Sequence, residues 1–211
     1  QVGKHEIAVE LISKALVFVP NYAEAHNNLG VALNDQGNPD EAVACYRRAL
    51  KLKPDYAEAY SNMGNALRGQ GKLDEAAASY RKALALKPDY ADAHNNLGMV
   101  LNDEGKLDEA VASYRKALAL KSNDAVIYRN LGNTLNGQGK LDEAASSYRQ
   151  ALALKPEYAE AYNNLGVTLN DQGKPEEATA CYCKALALKP DYAEAHYNLG
   201  AALQSHGKLD E

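Results

Sequence analysis

The chain has 211 residues, and its 23 Lys and Arg residues against 28 Asp and Glu residues give a formal net charge of −5. Positive residues are scattered among negative ones, so there is no basic stripe of the kind that binds nucleic acid. No apolar run approaches the roughly 20 residues that a membrane helix needs. Three cysteines, an odd number, argue against a disulfide framework. We therefore predict a cytoplasmic protein that binds neither nucleic acid nor membrane.

Proline and glycine recur with a period of 34 residues along the chain. The prolines that keep this period are Pro20, Pro54, Pro88, Pro156 and Pro190. A fixed period of this length is typical of a repeat array, in which each unit buries its apolar face against its neighbours. We therefore predict a single elongated array over residues 1–211, and not one or two globular domains.

The predicted elements follow this period in chain order, beginning with residues 1–19 as the second helix of a partial repeat. Five complete repeats follow, and each is predicted to form a first and a second helix: 20–53, 54–87, 88–121, 122–155 and 156–189. Residues 190–211 form a partial repeat that stops at the start of its second helix. The array is thus predicted to contain about twelve helices and almost no strand.

The first complete repeat shows why each unit is predicted to be a helix pair. From Ala23 to Gln36, apolar or small residues recur with the i, i+3, i+4, i+7 spacing of an amphipathic helix. Gly37 ends this helix, because glycine adopts the left-handed conformation that a helix end often requires. Pro39 fits the first turn of the second helix, where its missing N–H has no intrahelical partner to lose. Pro54 then begins the next unit.

Small residues recur where the two helices of a repeat must approach closely, as Gly30 on the first helix and Tyr46 on the second illustrate. Alternating small and large side chains allow antiparallel helices to interdigitate. All five complete repeats carry Leu or Met before this glycine, and Ala, Tyr and Ala on the second helix. This pattern resembles the tetratricopeptide repeat, a helix–turn–helix unit of 34 residues.

The resemblance implies an all-α fold, a right-handed superhelical solenoid of antiparallel helix pairs. The first helices would line a concave groove, and the second helices would form the outer surface. Members of this family typically bind peptides or proteins and are scaffolds, not catalysts. We accordingly predict a protein- or peptide-binding scaffold with no enzymatic activity, no cofactor and no metal site.

One position on the predicted groove is asparagine in every first helix, and we call this series the asparagine ladder: Asn28, Asn62, Asn96, Asn130, Asn164 and Asn198. An amide side chain offers donors and an acceptor, so the ladder can pair with the backbone of an extended peptide of any sequence. It is similar to the ladder in the superhelical repeat domain of the O-GlcNAc transferases, which holds protein substrates by their backbone. In the alternative interpretation the amides bond to neighbouring helices, and both roles can coexist.

Every second repeat shares further residues on the same face. Odd repeats carry an aspartate near the end of the first helix, at Asp35, Asp103 and Asp171. Even repeats carry Asn65 and Asn133 three residues after the ladder position, where odd repeats have valine or methionine. Ancestral duplication of a two-repeat block explains this longer period. The alternative to this simpler explanation is a groove whose chemistry alternates along its length, and its acidic positions would then favour a basic ligand.

Three further hypotheses concern the whole chain. The array is also interpretable as the substrate-recruiting segment, N-terminal or internal, of a larger enzyme such as a glycosyltransferase similar to the O-GlcNAc transferases. A catalytic domain in the full reading frame would support this alternative. The partial repeats leave apolar helix faces uncovered, so we expect end-to-end self-association. Residues 122–124 replace the Pro-Asp-Tyr that begins other repeats, and we expect this junction to be a weak joint.

Overall fold

The computed structural model describes the backbone of residues 2–207 and the side chains of residues 6–204. This part of the chain forms twelve helices and no strand, which confirms the predicted all-α fold. The first unit, Gln1–Gly105, contains α1 (Val2–Phe18), α2 (Ala23–Asp35), α3 (Pro39–Leu52), α4 (Ala57–Gly69), α5 (Leu73–Leu86) and α6 (Ala91–Asp103). The second unit, Lys106–Glu211, contains α7 (Leu107–Leu120), α8 (Ala125–Gly137), α9 (Leu141–Leu154), α10 (Ala159–Asp171), α11 (Pro175–Leu188) and α12 (Ala193–Gly207). None of these helices is long and apolar enough to cross a bilayer.

A short turn joins the two helices of a repeat, so the helices are antiparallel. In the first complete repeat, α2 ends at Asp35, α3 begins at Pro39, and Gly37 between them has a φ of 83°. Glycine adopts this left-handed conformation without steric cost, and the prediction for Gly37 is confirmed. Pro39 lies in the first turn of α3, where Asp40 and Glu41 place negative charge at the positive end of the helix dipole.

The glycine of each first helix allows the paired helices to approach closely. A Cβ atom on Gly30 would lie 2.6 Å from Cε1 of Tyr46, and one on Gly132 would lie 2.6 Å from Cε1 of Tyr148. These separations are well below van der Waals contact, so only glycine fits opposite the ring. Both tyrosines are buried, with 1% and 2% of their surfaces exposed. The predicted match of small and large side chains is confirmed.

The first helices form a row within each unit. In the first unit α2 contacts α4 and α4 contacts α6, and in the second unit α8 contacts α10 and α10 contacts α12. Within each unit, the second helices of successive repeats lie farther apart. The Cα atoms of their described residues do not come as close to one another as those of successive first helices do. The row of first helices is therefore the inner side of the curve in each unit, and the second helices form its outer side.

The junction between repeats is built differently before α8. At four other junctions a lysine at the end of the second helix lies over the tyrosine that precedes the next first helix, as Lys155 Nζ does, 4.4 Å from the ring centroid of Tyr158. At residues 122–124 that tyrosine is replaced by Asp124, which caps α8 by accepting from two backbone N–H groups at 3.0 and 3.4 Å. Its Oδ2 also lies 2.8 Å from Lys121 Nζ. A cap of this kind contributes about 0.5–2 kcal/mol and acts against the loss of the proline and the aromatic ring, and the weak joint stays a prediction.

Candidate functional site

The asparagine ladder lies on the inner rows of first helices in the two units, and its members differ in exposure. Asn28 is exposed, Asn130 is buried with 6% of its surface accessible, and the other four are half-buried. Partial burial gives these four amides both protein neighbours and solvent. The hydrogen bonds of the ladder therefore show how much of its capacity is used within the protein.

In the second complete repeat and in the C-terminal partial repeat, the ladder amide bonds to a buried asparagine of the repeat before it. Asn62 Nδ2 donates to Asn27 Oδ1 at 3.1 Å, and Asn198 Nδ2 donates to Asn163 Oδ1 at 3.0 Å. Asn27 is 5% exposed and Asn163 is fully buried. Buried polar atoms require hydrogen-bond partners, and the ladder supplies them here. Sequence reasoning did not single out these two buried amides.

In the third and fifth complete repeats, the ladder amide bonds to a different asparagine of the repeat before it. Asn164 Nδ2 donates to Asn133 Oδ1 at 2.8 Å, and the same oxygen accepts from the hydroxyl of Tyr148 at 2.8 Å. The first unit holds the same network, formed by Asn65, Tyr80 and Asn96. The two-repeat period of the sequence therefore alternates the neighbour to which the ladder is tied.

The ladder oxygen accepts a hydrogen bond from the residue before it in the chain. Asn163 Nδ2 lies 3.4 Å from Asn164 Oδ1, and Asn95 Nδ2 lies 3.2 Å from Asn96 Oδ1. A carboxamide has two N–H donors and two acceptor lone pairs. These bonds use one donor and one lone pair, so Asn96 and Asn164 each retain one N–H and one lone pair. At these two positions the ladder thus supports neighbouring helices and keeps half of its hydrogen-bonding capacity.

The acidic residues predicted to favour a basic ligand lie at the ends of first helices. Asp35, Asp103 and Asp171 are exposed and are the last residues of α2, α6 and α10. Each follows its ladder asparagine by two helical turns, which places it on the same side of the helix. Glu24 shares this face but is paired with Lys53, whose Nζ donates to Oε1 at 2.9 Å and lowers the pKa of the Glu24 carboxyl. This pairing reduces the contribution of Glu24 to the negative charge of the face.

The fourth complete repeat departs from the pattern at Arg129, which occupies the position of Asn27 and Asn163. Arg129 Nη2 donates to Asn130 Oδ1 at 3.0 Å, and its guanidinium lies 5.4 Å from the ring centroid of Tyr158. Tyr158 is buried, with 5% of its surface exposed. Desolvation by burial raises the pKa of this tyrosine, and the guanidinium opposes the rise. Arg129 is therefore tied to the ladder on one side and to an aromatic ring on the other.

A pocket of about 260 Å³ lies beside the ladder on the inner side of the second unit. Its lining comes from α8, α9, α10 and α12 and comprises Asn133, Asn136, Tyr148, Asn164, Val167 and Glu194. Glu194 is the charged member of this set, and its Oε1 accepts from Asn163 Nδ2 at 3.2 Å. The structure thus brings the predicted residues Asn133 and Asn164 together with Asn136, which sequence reasoning did not identify.

The histidines of the first helices serve as structural ties. In each case Nε2 lies 2.8 to 2.9 Å from the carbonyl oxygen of the proline that begins the repeat. The residues concerned are His26, His94 and His196. A carbonyl oxygen only accepts, so Nε2 carries the hydrogen in each ring. Among the described residues, no group of three or more His, Cys, Asp or Glu side chains is placed to hold a metal ion.

Sequence profiles of one repeat family match most of the chain. Two tetratricopeptide repeat profiles match residues 21–89 and 61–125, and a third TPR repeat profile matches residues 133–173 and 168–207. A comparison with curated protein sequences gives no significant match.

Solved structures of repeat proteins are similar over most of the chain. YrrB, a TPR protein with an unusual peptide-binding site, is 28% identical over 90% of this chain and 97% of its own, with a TM-score of 0.75. MamA is 26% identical over 79% of this chain and 97% of its own, with a TM-score of 0.73. PilF of Pseudomonas aeruginosa has a TM-score of 0.81 over 92% of this chain and 89% of its own, at 23% identity. This last likeness concerns the fold alone.

Proposed function

The chain belongs to the tetratricopeptide repeat family, and we propose that it is a scaffold that binds an extended segment of a partner protein along the inner row of first helices. The observation that carries this proposal is that ladder amides keep hydrogen-bonding groups that are not used within the protein. Asn96 and Asn164 each keep one N–H and one lone pair after their bonds within the protein. An extended backbone offers the matching C=O and N–H groups, so main-chain bonds supply affinity with little dependence on side chains.

The proposed binding surface has three kinds of residue. The asparagine ladder contacts the backbone of the partner, and Asn65 and Asn133 hold ladder amides in place. Asp35, Asp103 and Asp171 make the surface acidic, which together with the net charge of −5 favours a basic segment. The similarity to YrrB, a TPR protein with an unusual peptide-binding site, supports a peptide ligand.

We assign the protein no catalytic activity of its own, and neither nucleic acid nor a membrane is the proposed partner. The cysteines Cys45, Cys181 and Cys183 are free thiols. Free thiols are typical of reducing compartments, which supports a cytoplasmic location. In the alternative function the same surface recruits substrates for a catalytic domain of a larger enzyme, such as a glycosyltransferase. The full reading frame distinguishes the two, since the alternative requires a catalytic domain.

Binding to backbone is tested with labelled unstructured peptides by fluorescence anisotropy. A basic peptide and its shuffled version should bind equally, because the ladder does not distinguish side chains. Replacing selected amide bonds of the peptide by esters removes N–H donors and keeps the side chains. Each lost bond should weaken binding by about 0.5–1.5 kcal/mol. Ester peptides that bind as tightly as their parent would refute backbone recognition.

The protein side is tested by replacing Asn96, Asn130 and Asn164 together with Ala. Affinity should fall by about 2–4 kcal/mol if the terms add. The melting temperature should fall as well, because two of these amides also bond to the preceding repeat. Tyr148→Phe is the matched control, since it removes a bond to Asn133 and leaves every ladder amide intact. Unchanged affinity in the destabilised triple variant would reject the ladder as a binding surface.

A further inference from the structure

We propose that the pocket lined by Asn133, Asn136, Asn164 and Glu194 is a subsite for one cationic side chain, lysine or arginine, of the bound segment. This inference rests on the proposed function, since the ladder residue Asn164 is part of the pocket wall. At about 260 Å³ the pocket is smaller than a typical ligand site of roughly 300–1,000 Å³. Its size therefore suits a single side chain and not a whole small molecule.

The polar atoms of the pocket provide acceptors in the number that an ammonium group needs. Glu194 carries the negative charge, and its Oε1 accepts a hydrogen bond from Asn163. Asn164 Oδ1 keeps one lone pair, and so does Asn136 Oδ1, which accepts from Thr168 Oγ1 at 2.9 Å. A lysine ammonium has three donors and no acceptor. These three oxygens can receive all three donors.

The remaining walls suit the aliphatic stem of such a side chain. Val167 and the ring of Tyr148 line the pocket, and long cationic side chains commonly lay their methylene stem along apolar surface. Asn133 Oδ1 is excluded as an acceptor, because Tyr148 and Asn164 already occupy both of its lone pairs. Its role is to fix the Asn164 amide at the pocket wall.

Resident cations near this region are held by other partners. Arg129 bonds to Asn130 and stacks on Tyr158. Lys189 lies over the ring of Tyr192, with Nζ 4.9 Å from the centroid. Neither cation lines the pocket, so the Glu194 carboxylate remains available to a charge brought by the ligand.

In the first unit, an arginine stands at one of the positions that line the pocket in the second unit. The counterparts of Asn136 and Val167, one two-repeat block earlier, are Arg68 and Met99. Arg68 Nη1 lies 3.3 Å from Met99 Sδ, so the guanidinium is packed against the residue that replaces the apolar wall. The acidic pocket is therefore a feature of the second unit, and the first unit supplies the substitutions that should close it.

The test compares two fluorescein-labelled extended peptides of Ala, Ser and Thr. One carries a central lysine, and the other carries norleucine, which keeps the stem and lacks the ammonium group. The wild-type protein should bind the lysine peptide roughly fivefold or more tightly, and added salt should reduce the preference. Glu194→Gln preserves the shape of the side chain and should abolish the preference. The double variant Asn136→Arg/Val167→Met, which copies the first unit, should reverse it.

The outcomes separate the pocket from the ladder. Equal binding of both peptides, lost in Asn164→Ala, would leave the scaffold function in place and overturn the cationic subsite. A lysine preference that persists in Glu194→Gln would also overturn it. If neither peptide binds the wild-type protein at millimolar concentration, both proposals fail. Far-UV circular dichroism and thermal melting of each variant ensure that a changed preference reflects the pocket and not unfolding.

Discussion

A methyl group added at Gly132 should destabilise the second unit more than the same change at Gly137 on the same helix. The new Cβ would lie 2.6 Å from Cε1, 2.8 Å from Cδ1 and 2.9 Å from Cζ of Tyr148. The ring is buried, and its hydroxyl donates to Asn133 Oδ1 at 2.8 Å. The ring therefore cannot move aside without breaking this bond, and otherwise α8 and α9 must separate.

The change in the free energy of unfolding of Gly132→Ala follows from two destabilising contributions and one stabilising contribution. Overpacking of a core costs about 1–3 kcal/mol, and loss of the tyrosine hydrogen bond costs about 0.5–1.5 kcal/mol. Alanine is a better helix former than glycine and returns about 1 kcal/mol. The free energy of unfolding should thus fall by about 0.5–3.5 kcal/mol. At Gly137 the nearest atom to a new Cβ is Leu107 Cδ1 at 3.8 Å, an ordinary contact, so Gly137→Ala should be neutral or stabilising.

Urea denaturation followed by far-UV circular dichroism measures both variants. Repeat arrays can unfold in parts, so hydrogen exchange of α8 and α9 should localise the loss. A double variant, Gly132→Ala with Tyr148→Leu, removes the ring that obstructs the methyl group. The free energy of unfolding of this double variant should fall by less than the sum of the falls in the two single variants. Equal stability of Gly132→Ala and Gly137→Ala would refute the close-approach argument.

Two further predictions concern the junction and the ends. Asp124→Ala should lower stability by about 0.5–2 kcal/mol at pH 7. Burial raises the pKa of Asp124, but bonds from Lys121 and two backbone N–H groups outweigh it and leave the pKa below its ordinary value. The stabilisation is therefore complete above about pH 4 and disappears as the pH falls further, so urea titrations showing the same loss at pH 7 and in strong acid would contradict this. At the ends, α1 exposes Ile7, Leu11 and Phe18 by 58%, 60% and 84%. Sedimentation should show association that grows with concentration and weakens in Leu11→Lys, whereas a monomer up to millimolar concentration would contradict it.

Most of the fold could be predicted from the periodicity of the sequence, because the ends of helices depend on local chemistry. Gly37 and Pro39 mark the end of α2 and the start of α3, and the predicted end of α2 at Gln36 differs from the observed end by one residue. The small-large pairing of Gly30 with Tyr46 was also predictable, since it follows from side-chain volume alone. These features require no knowledge of how one repeat is placed on the next.

The hydrogen bonds of the ladder could not be predicted in the same way. Asn62 and Asn96 are the same residue at the same repeat position, yet they donate to residues 35 and 31 positions earlier. The choice depends on the stagger between helices and on whether the preceding repeat offers Asn65 or a buried amide such as Asn27. The repeated Asn-Asn pair at 27–28, 95–96 and 163–164 was the available signal. The residue type of Asp124 is typical of an N-cap. The expectation of a weak joint rests on the loss of the tyrosine at this position and does not take the cap into account.

The two roles of the ladder support each other physically. An asparagine that binds a ligand must give up rotamer freedom, and ordering an interfacial side chain costs roughly 0.5–1.5 kcal/mol. Asn164 is already fixed in the free protein by its bonds to Asn133 and from Asn163. The bond that stabilises the array therefore also reduces the cost of binding, as expected of a preorganised site.

This coupling gives a rule for separating structural from ligand-contacting positions. Asn65 and Asn133, which keep the two-repeat period, belong to the internal network with Tyr80 and Tyr148. Residue 136 breaks the period and lines the acidic pocket, where the first unit has an arginine. Exchanging residues between units at period-keeping positions should therefore preserve affinity, whereas exchange at period-breaking positions should change which side chain the ligand must present. A peptide preference that is unchanged by the Asn136→Arg/Val167→Met exchange would show that these period-breaking residues do not set which side chain the ligand must present.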